Sequence, residues 1–466
     1  MDLDLNLLQK CYADWDSKVL HYDHINKYYY GNTDSLINFR PKMGRSNLKI
    51  NTNFVAKLVD EEAQYSFDNE TTYVSQDGNS EAIKDIKYVL TNNKADHDLN
   101  LGRELICFGT EFEINYIKPD GTFYNRKVSP LNGYMYLDEN DEPIYFLHIY
   151  KKQLDPNNYI DVYTRDEIYH FNFEFKPIGD PTPHYFGIVP VGYGIIGGKV
   201  LNTDKGYIEG DKTIFRIIKT LQDALETNLG DVTSEISDFR NAILKMYGID
   251  LEDVKDEKGN VILGADGQPI KKPPVIRDNA ILYFGKKSDE DAEWLTKDIN
   301  GQFVKDTRED IKDLIYSLTS HINNNEKMQS NLSGIALRSR LFSLEGRCKD
   351  NEKAMKNILK TRIKCICKYL FLTKSKVYDP NLIDILFTPN IPIDETTIAD
   401  MISKIPHEVV SNYTKRSWLP KIDNPDVEQE RIDKENEAEI PDMGLDNLDK
   451  TNQNTLDNVG NKDGQE

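Results

Sequence analysis

Beginning at Ile214, apolar residues recur at positions 214, 218, 221, 225, 229, 232, 236, 239 and 243. Steps of three and four alternate for about 30 residues, which predicts one long helix, roughly 45 Å at 1.5 Å per residue. Gly230 alone interrupts the pattern. A helix of that length outreaches a small domain, so its apolar stripe needs a partner along the whole length: another helix of the chain or another copy of the same stalk.

A second helix is predicted over 303–322. Asp306 and Glu309 have capping-box spacing, and Ile311, Leu314, Ile315, Leu318 and Ile322 form its stripe. Between the two helices, 247–302 places turn signals (Asp256-Glu257-Lys258-Gly259, Asp266-Gly267, Pro273-Pro274) around short apolar runs, which reads as a small β-rich insertion. A polar loop, 323–334, follows the second helix. It leads into a third helix, about 335–372, with Leu337, Leu341, Leu344 and Cys348 on one face.

Upstream, residues to about 70 read as helical, with Asn51 or Asn53 as a cap for the second of two segments. From Leu105 to about Phe175 the period changes to two. FEINYIKPDGTFYNRKV, YMYLDENDEPIYFLHIY and YIDVYTRDEIYHFNFEF each read as a hairpin, so the fold class is α+β with an antiparallel sheet. Near the C-terminus, LIDILFTP reads as a strand followed by short helices. From Lys421 onward fourteen acidic residues face five basic ones, which predicts a flexible tail.

At 466 residues the chain is too long for one core. A net charge of -20 excludes the usual footprint of a nucleic-acid reader, although not a surface that handles nucleic acid without gripping it. The five cysteines lack framework spacing and suit a reducing compartment, and Cys365 and Cys367 read as small apolar residues on a helix. No signal peptide and no apolar run near 18 residues is present, so neither secretion by that route nor a membrane span is expected.

The candidate chemistry fails on context. GYGIIG at 192–197 fits a dinucleotide fingerprint, but GKVLNTDKGYIEGD follows where a helix should begin; a loop or hinge is the expectation. GGK at 197–199 lacks the first glycine and the Ser or Thr of a phosphate loop. The eight histidines are scattered, and His21 and His24 read as a solvated helix face. No enzyme, cofactor or metal site is expected. One charge feature stands out: between Leu337 and Leu370 ten Lys or Arg accompany three acidic residues. They solubilise the helix, pair with an acidic neighbouring element, or face DNA or an acidic partner subunit.

Several stretches, in this order, resemble the portal proteins of tailed double-stranded-DNA bacteriophages. They are KYYYGN at 27–32, INTNFVAKLVDEEAQYSF at 50–67, GTEFEINYIKPDGTFYNRKVSP at 109–130, HYFGIVPVGY at 184–193 and SDFRNAILKMYG at 237–248. SGIALRSRLFSLEGRCK at 333–349 is the most specific segment, and after it come FTPNIPIDETTIADMISKIP and SNYTKRSWLPKIDNPDVEQERIDKENE. The resemblance implies a ring, usually of twelve subunits, at one capsid vertex of the virion, assembled in the host cytoplasm. It implies as partners double-stranded DNA read without sequence specificity, a terminase large subunit, head-completion or adaptor proteins, and major capsid and scaffolding proteins.

On that reading the chain divides into a wing (1–210), a first stem helix (211–246), a clip (247–302), a second stem helix (303–322), a tunnel loop (323–334), a long wing helix (335–372), a crown (373–420) and the acidic tail (421–466). Asn323, Asn324, Asn325, Lys327, Gln329 and Asn331 become DNA-facing groups, mostly neutral and able to exchange hydrogen bonds without holding the strand. Ser333 and Gly334 become the junction from loop to helix. Another ring-forming connector or tail protein, a nucleotide-dependent enzyme and a monomeric adaptor remain the alternatives.

Overall fold

The computed structural model describes the chain except for residues 1–2, 39–45, 198–200, 203–207, 210–211, 239–242, 248–252, 257, 265–266, 272–290, 296–300, 324–333, 391–394, 407, 420–424 and 440–466. Two compact units are present, residues 1–390 and 391–466.

The first unit opens with α1 (Leu5–Tyr29), a short α2 (Asp34–Ile37) and α3 (Phe54–Phe67). Asp4 caps α1, its side chain accepting from the Asn6 and Leu7 amides. Asn53 occupies the cap position of α3, but in a left-handed conformation (φ 47°) and without a side-chain cap bond. Asn51 instead accepts from the Asn53 amide. Next come β1 (Thr72–Ser75), α4 (Ser80–Leu90) and α5 (His97–Phe108). The alternating region therefore starts after Phe108, and Leu105 is a fully buried helical residue.

Two antiparallel sheets follow. β2 (Thr110–Ile117) pairs with β3 (Phe123–Val128) around the turn at Pro119–Gly121 and with β9 (Val191–Ile195) on its other edge. β4 (Gly133–Leu137), β5 (Pro143–Lys151), β6 (Asn158–Tyr163), β7 (Glu167–Asn172) and β8 (Thr182–Pro183) form a five-stranded meander. The three expected hairpins are all present. α1 covers the meander: Leu8, Cys11 and Trp15 pack with Leu147, Ile160 and Phe171. GYGIIG is not a loop, because its first residues belong to β9 at the edge of the sheet.

After the small ladder of β10 (Leu201–Asn202) and β11 (Ile208–Glu209), α6 runs from Ile214 to Asp238. The helix is shorter than its apolar spacing predicts: Ile243–Tyr247 form β12, paired antiparallel with β13 (Asp291–Leu295). Phe239 and Ile243 continue the spacing of threes and fours, but two positions so spaced do not exclude a strand, and a β-branched Ile with Met and Tyr suits one. Short bridges at Asp253–Lys271, Lys255–Val261 and Leu263–Pro269 add β structure to the insertion. α7 (Gly301–Thr319) packs against α6, and α8 (Gly334–Lys374) spans 41 residues. β14 (Ile383–Leu386) then returns to pair with β1.

α6 carries two stripes, of which only the apolar one is legible from hydrophobic spacing. Gln222, Glu226, Gly230, Ser234 and Ser237 make a second face that receives the segment 46–55. Ser46 Oγ meets Ser237 Oγ at 3.1 Å, the Leu48 amide donates to Ser234 Oγ at 3.0 Å, and the Val55 amide donates to Gln222 Oε1 at 3.1 Å. A side chain at Gly230 would place its Cβ 3.0 Å from the Leu48 carbonyl oxygen, so this glycine admits a passing backbone.

The second unit contains α9 (Glu395–Lys404), α10 (Asn412–Ser417) and α11 (Pro425–Glu439). α11 corrects the expectation of a flexible tail across 425–439: Glu, Gln, Lys and Ala are strong helix formers, and Pro425 occupies the first position, where proline is well tolerated.

Candidate functional site: the buried carboxylates that seat the long helix

β2 reads T-E-F-E-I-N, and its two faces differ in kind. Phe112 and Ile114 face the second sheet, while Glu111, Glu113 and Asn115 turn the other way, yet all five are buried. Charged residues on a buried strand face require partners. Across the ladder Glu113 stands opposite Gly192, and Glu111 opposite Gly194. These glycines leave the sheet bare on that side, and α8 lies in the space. A Cβ at Gly194 would fall 2.5 Å from the Ala354 carbonyl oxygen, and one at Gly192 would fall 2.6 Å from that of Ile358. The first two fingerprint glycines, Gly192 and Gly194, therefore serve close helix–sheet contact.

Ala354, Ile358 and Arg362 follow at four-residue spacing, on one face of α8. The next turn after Ile358 brings Arg362 over the acidic face. Its Nε donates to Glu113 Oε2 at 2.9 Å and its Nη2 to Glu113 Oε1 at 2.5 Å, with a further bond to Asp98 Oδ1 at 2.7 Å. His97 Nε2 lies 2.7 Å from Glu113 Oε1. Burial alone would raise the Glu113 pKa, but the Arg362 charge and the bonds from His97 and Arg362 hold it below the ordinary carboxyl range. Asp98 is held down in the same way. Burial and nearby Glu104 push Glu111 well up instead.

A second buried carboxylate, Glu62 on α3, fixes α8 one end earlier. It accepts from Arg347 Nε at Oε1 and from Asn351 Nδ2 at Oε2, both at 2.7 Å. His321, just beyond α7, sits with Nε2 3.9 Å from Glu62 Oε1. Ser320 has φ 62°, so the chain turns sharply out of α7 and drives His321 inward. One carboxylate thus stands between the two elements that flank the predicted tunnel loop.

Of the predicted loop residues, Asn323 is the last described before the segment and is partly buried. Asn324, Asn325, Lys327, Gln329, Asn331 and Ser333 lie outside the described residues. Gly334 is the first residue of α8. The basic stretch on α8 is drawn in part toward the interior, Arg347 and Arg362 serving Glu62 and Glu113; Lys356 meets Asp384 at 2.7 Å, while Lys353 pairs with Asp350 of its own helix at the surface, at 3.0 Å. His24 bonds Asp34 at 3.0 Å, and both His21 and His24 pack on Phe215, so the two are not a merely solvated face. All five cysteines are buried and free, Cys365 and Cys367 among them. Among the described residues no cluster of metal-ligating side chains occurs, and no helix is long and apolar enough to cross a membrane.

Sequence reasoning missed Glu62 and Glu113, and only Glu62 leaves a signal. Glu62 continues the apolar stripe of Val55 and Val59, whereas Glu113 alternates with Phe112 and Ile114 beside Glu111 and Asn115 and so reads as the solvent face of a strand. An acidic residue on an apolar stripe predicts a cation elsewhere, and the richest supply is the basic stretch of α8.

Among solved structures, the chain is similar to a component of the neck of an empty gene transfer agent particle computed with C6 symmetry: 10% identity, 78% of this chain and 89% of that chain covered, TM-score 0.43. It is also similar to a chain from the virion of a native gene transfer agent particle, at 9% identity, 86% and 94% coverage and TM-score 0.42. No curated protein matches the chain. The family model described as phage portal protein, SPP1 Gp6-like, matches residues 8–442, and the chain belongs to that family of phage portal proteins.

Proposed function

We propose that copies of this chain, twelve in the virion, stand side by side as a ring at one capsid vertex and form the channel through which double-stranded DNA is packaged and ejected. The observation that carries the assembly is the outer flank of α7. Ile315 is fully buried toward the core, while Leu314, Leu318 and Phe303 on the same helix are 49%, 54% and 68% exposed. One helix offering apolar surface both to α6 and to solvent suits a stem whose second face is covered by a neighbouring copy.

In this reading α6 and α7 are the stem, the insertion carrying β12 and β13 is the clip that meets the terminase large subunit during packaging and adaptor proteins afterwards, and 323–334 is the loop facing DNA. The chain is structural and does no chemistry of its own. Major capsid and scaffolding proteins surround the ring, which assembles in the host cytoplasm. The polar, nearly neutral loop supports passage without a grip, since each phosphate neutralised adds affinity that resists movement.

Two substitution sets test this. Leu314→Glu with Leu318→Glu should leave a folded chain that no longer forms rings. Replacing Lys327 and the loop asparagines with Ala should leave rings intact and impair DNA packaging; unchanged packaging contradicts a DNA-facing loop.

A further inference from the structure

The seat of His321 is unusual for a histidine. The residue is 7% exposed, and its Nδ1 lies 2.9 Å from the Thr319 carbonyl oxygen. A carbonyl only accepts, so Nδ1 carries the proton and Nε2 presents a lone pair. Nε2 is enclosed and has no hydrogen-bond partner among the described residues. The charged groups facing the ring are Glu61 and Glu62 from α3 and Arg347 from α8. Both carboxylates are already matched: Glu62 by Arg347 at 2.7 Å and Glu61 by Lys57 at 2.8 Å. A second cation placed here finds no unclaimed negative charge and stands close to a guanidinium.

We propose that His321 is a proton-released plug: neutral, it seats the C-terminal end of α7 between α3 and α8; protonated, it leaves that seat and frees the chain where the segment 324–333 begins. The geometry makes the neutral ring the one that fits, and the left-handed turn at Ser320 supplies the pivot. Burial lowers the His321 pKa from its ordinary 6.5, outweighing the pull of Glu62 and Glu61. An unfolded or unseated histidine takes up its proton near pH 6.5 while the seated one resists, so the stability of the seat is complete above that pH and declines as pH falls below it. The inference concerns the anchoring of α7 and does not depend on whether the following segment touches DNA.

Hydrogen exchange of the assembled full chain, corrected for the intrinsic effect of pH, reads the seat directly. Between pH 7.5 and pH 5, peptides covering 316–323 should lose protection by at least about tenfold, while β4 to β6 keep theirs. His321→Gln, uncharged at both pH values and able to donate from its amide to Glu62, should abolish the difference. Arg347→Met, which leaves Glu62 free to pair with a protonated imidazole, should reverse its direction. Equal protection at the two pH values in the unmodified chain overturns the proposal, as does a tenfold loss that persists in His321→Gln.

Discussion

Arg362 and Glu113 meet through two parallel hydrogen bonds, Nη2 to Oε1 at 2.5 Å and Nε to Oε2 at 2.9 Å, although 249 residues separate them in the chain. The pair joins the long helix to the central strand of the three-stranded sheet, in surroundings where neither side chain is more than 1% exposed. Its fork geometry suits arginine and not lysine. Arg362→Met should destabilise the first unit by about 3–5 kcal/mol, because Glu113 is then buried without its cation. Thermal unfolding checks this, and adding Glu113→Gln to the same chain should recover part of the loss.

The same cluster sets an acid limit. Asp98 and Glu113 both have folded-state pKa values below their ordinary ones, so the stability they contribute is complete above about pH 4.5 and is lost as pH falls through the depressed values. Between about pH 4.5 and pH 3 unfolding temperatures should fall as these two carboxylates take up protons, a range below the one in which the buried histidines begin to lose stability. Asp98→Asn should flatten that fall; an unchanged slope assigns the acid limit to other groups.

Gly194 fills a place where a methyl group cannot go, 2.5 Å from the Ala354 carbonyl oxygen. Gly194→Ala should cost about 1–3 kcal/mol by forcing α8 off the sheet. Calorimetry should therefore show a lowered unfolding temperature. A neutral result would contradict close contact between α8 and β9.

Glu226 gathers the N-terminal arm onto α6. The Thr52 amide donates to Oε1 at 3.0 Å, Ser35 Oγ donates to Oε2 at 2.7 Å, and Thr33 Oγ1 donates to Oε2 as well. Glu226→Ala strands the buried Thr33 hydroxyl, worth about 1–3 kcal/mol when left unpaired, and releases the half-buried Ser35 and Thr52 donors. Hydrogen exchange should report loss of protection at 33–37 and 46–55, with the five-stranded meander unaffected.

These residues also show where reading stops. The three hairpins, the buried cysteines on α8 and the existence of α6, α7 and α8 are legible because periodicity is a local signal. The end of α6 is not: Phe239 and Ile243 satisfy the helical spacing, and only pairing with β13, some 50 residues away, makes Ile243–Tyr247 a strand. GYGIIG is rejected as a nucleotide motif by the turn formers after it, but its use as a bare strip for α8 depends on a helix more than 150 positions later. The polar stripe of α6 and the two buried glutamates escape sequence reasoning for one reason. Polar residues within apolar patterns look like surface, when each of these marks a contact with a distant segment.

Copies of this chain are proposed to work as a ring with a hole along the axis. Electron microscopy of the purified chain, with particle masses measured on the same sample, tests it most directly. Annular particles of about twelve times the 53.7 kDa chain mass, with an axial opening, are expected. A single 53.7 kDa species at every protein and salt concentration would contradict the ring.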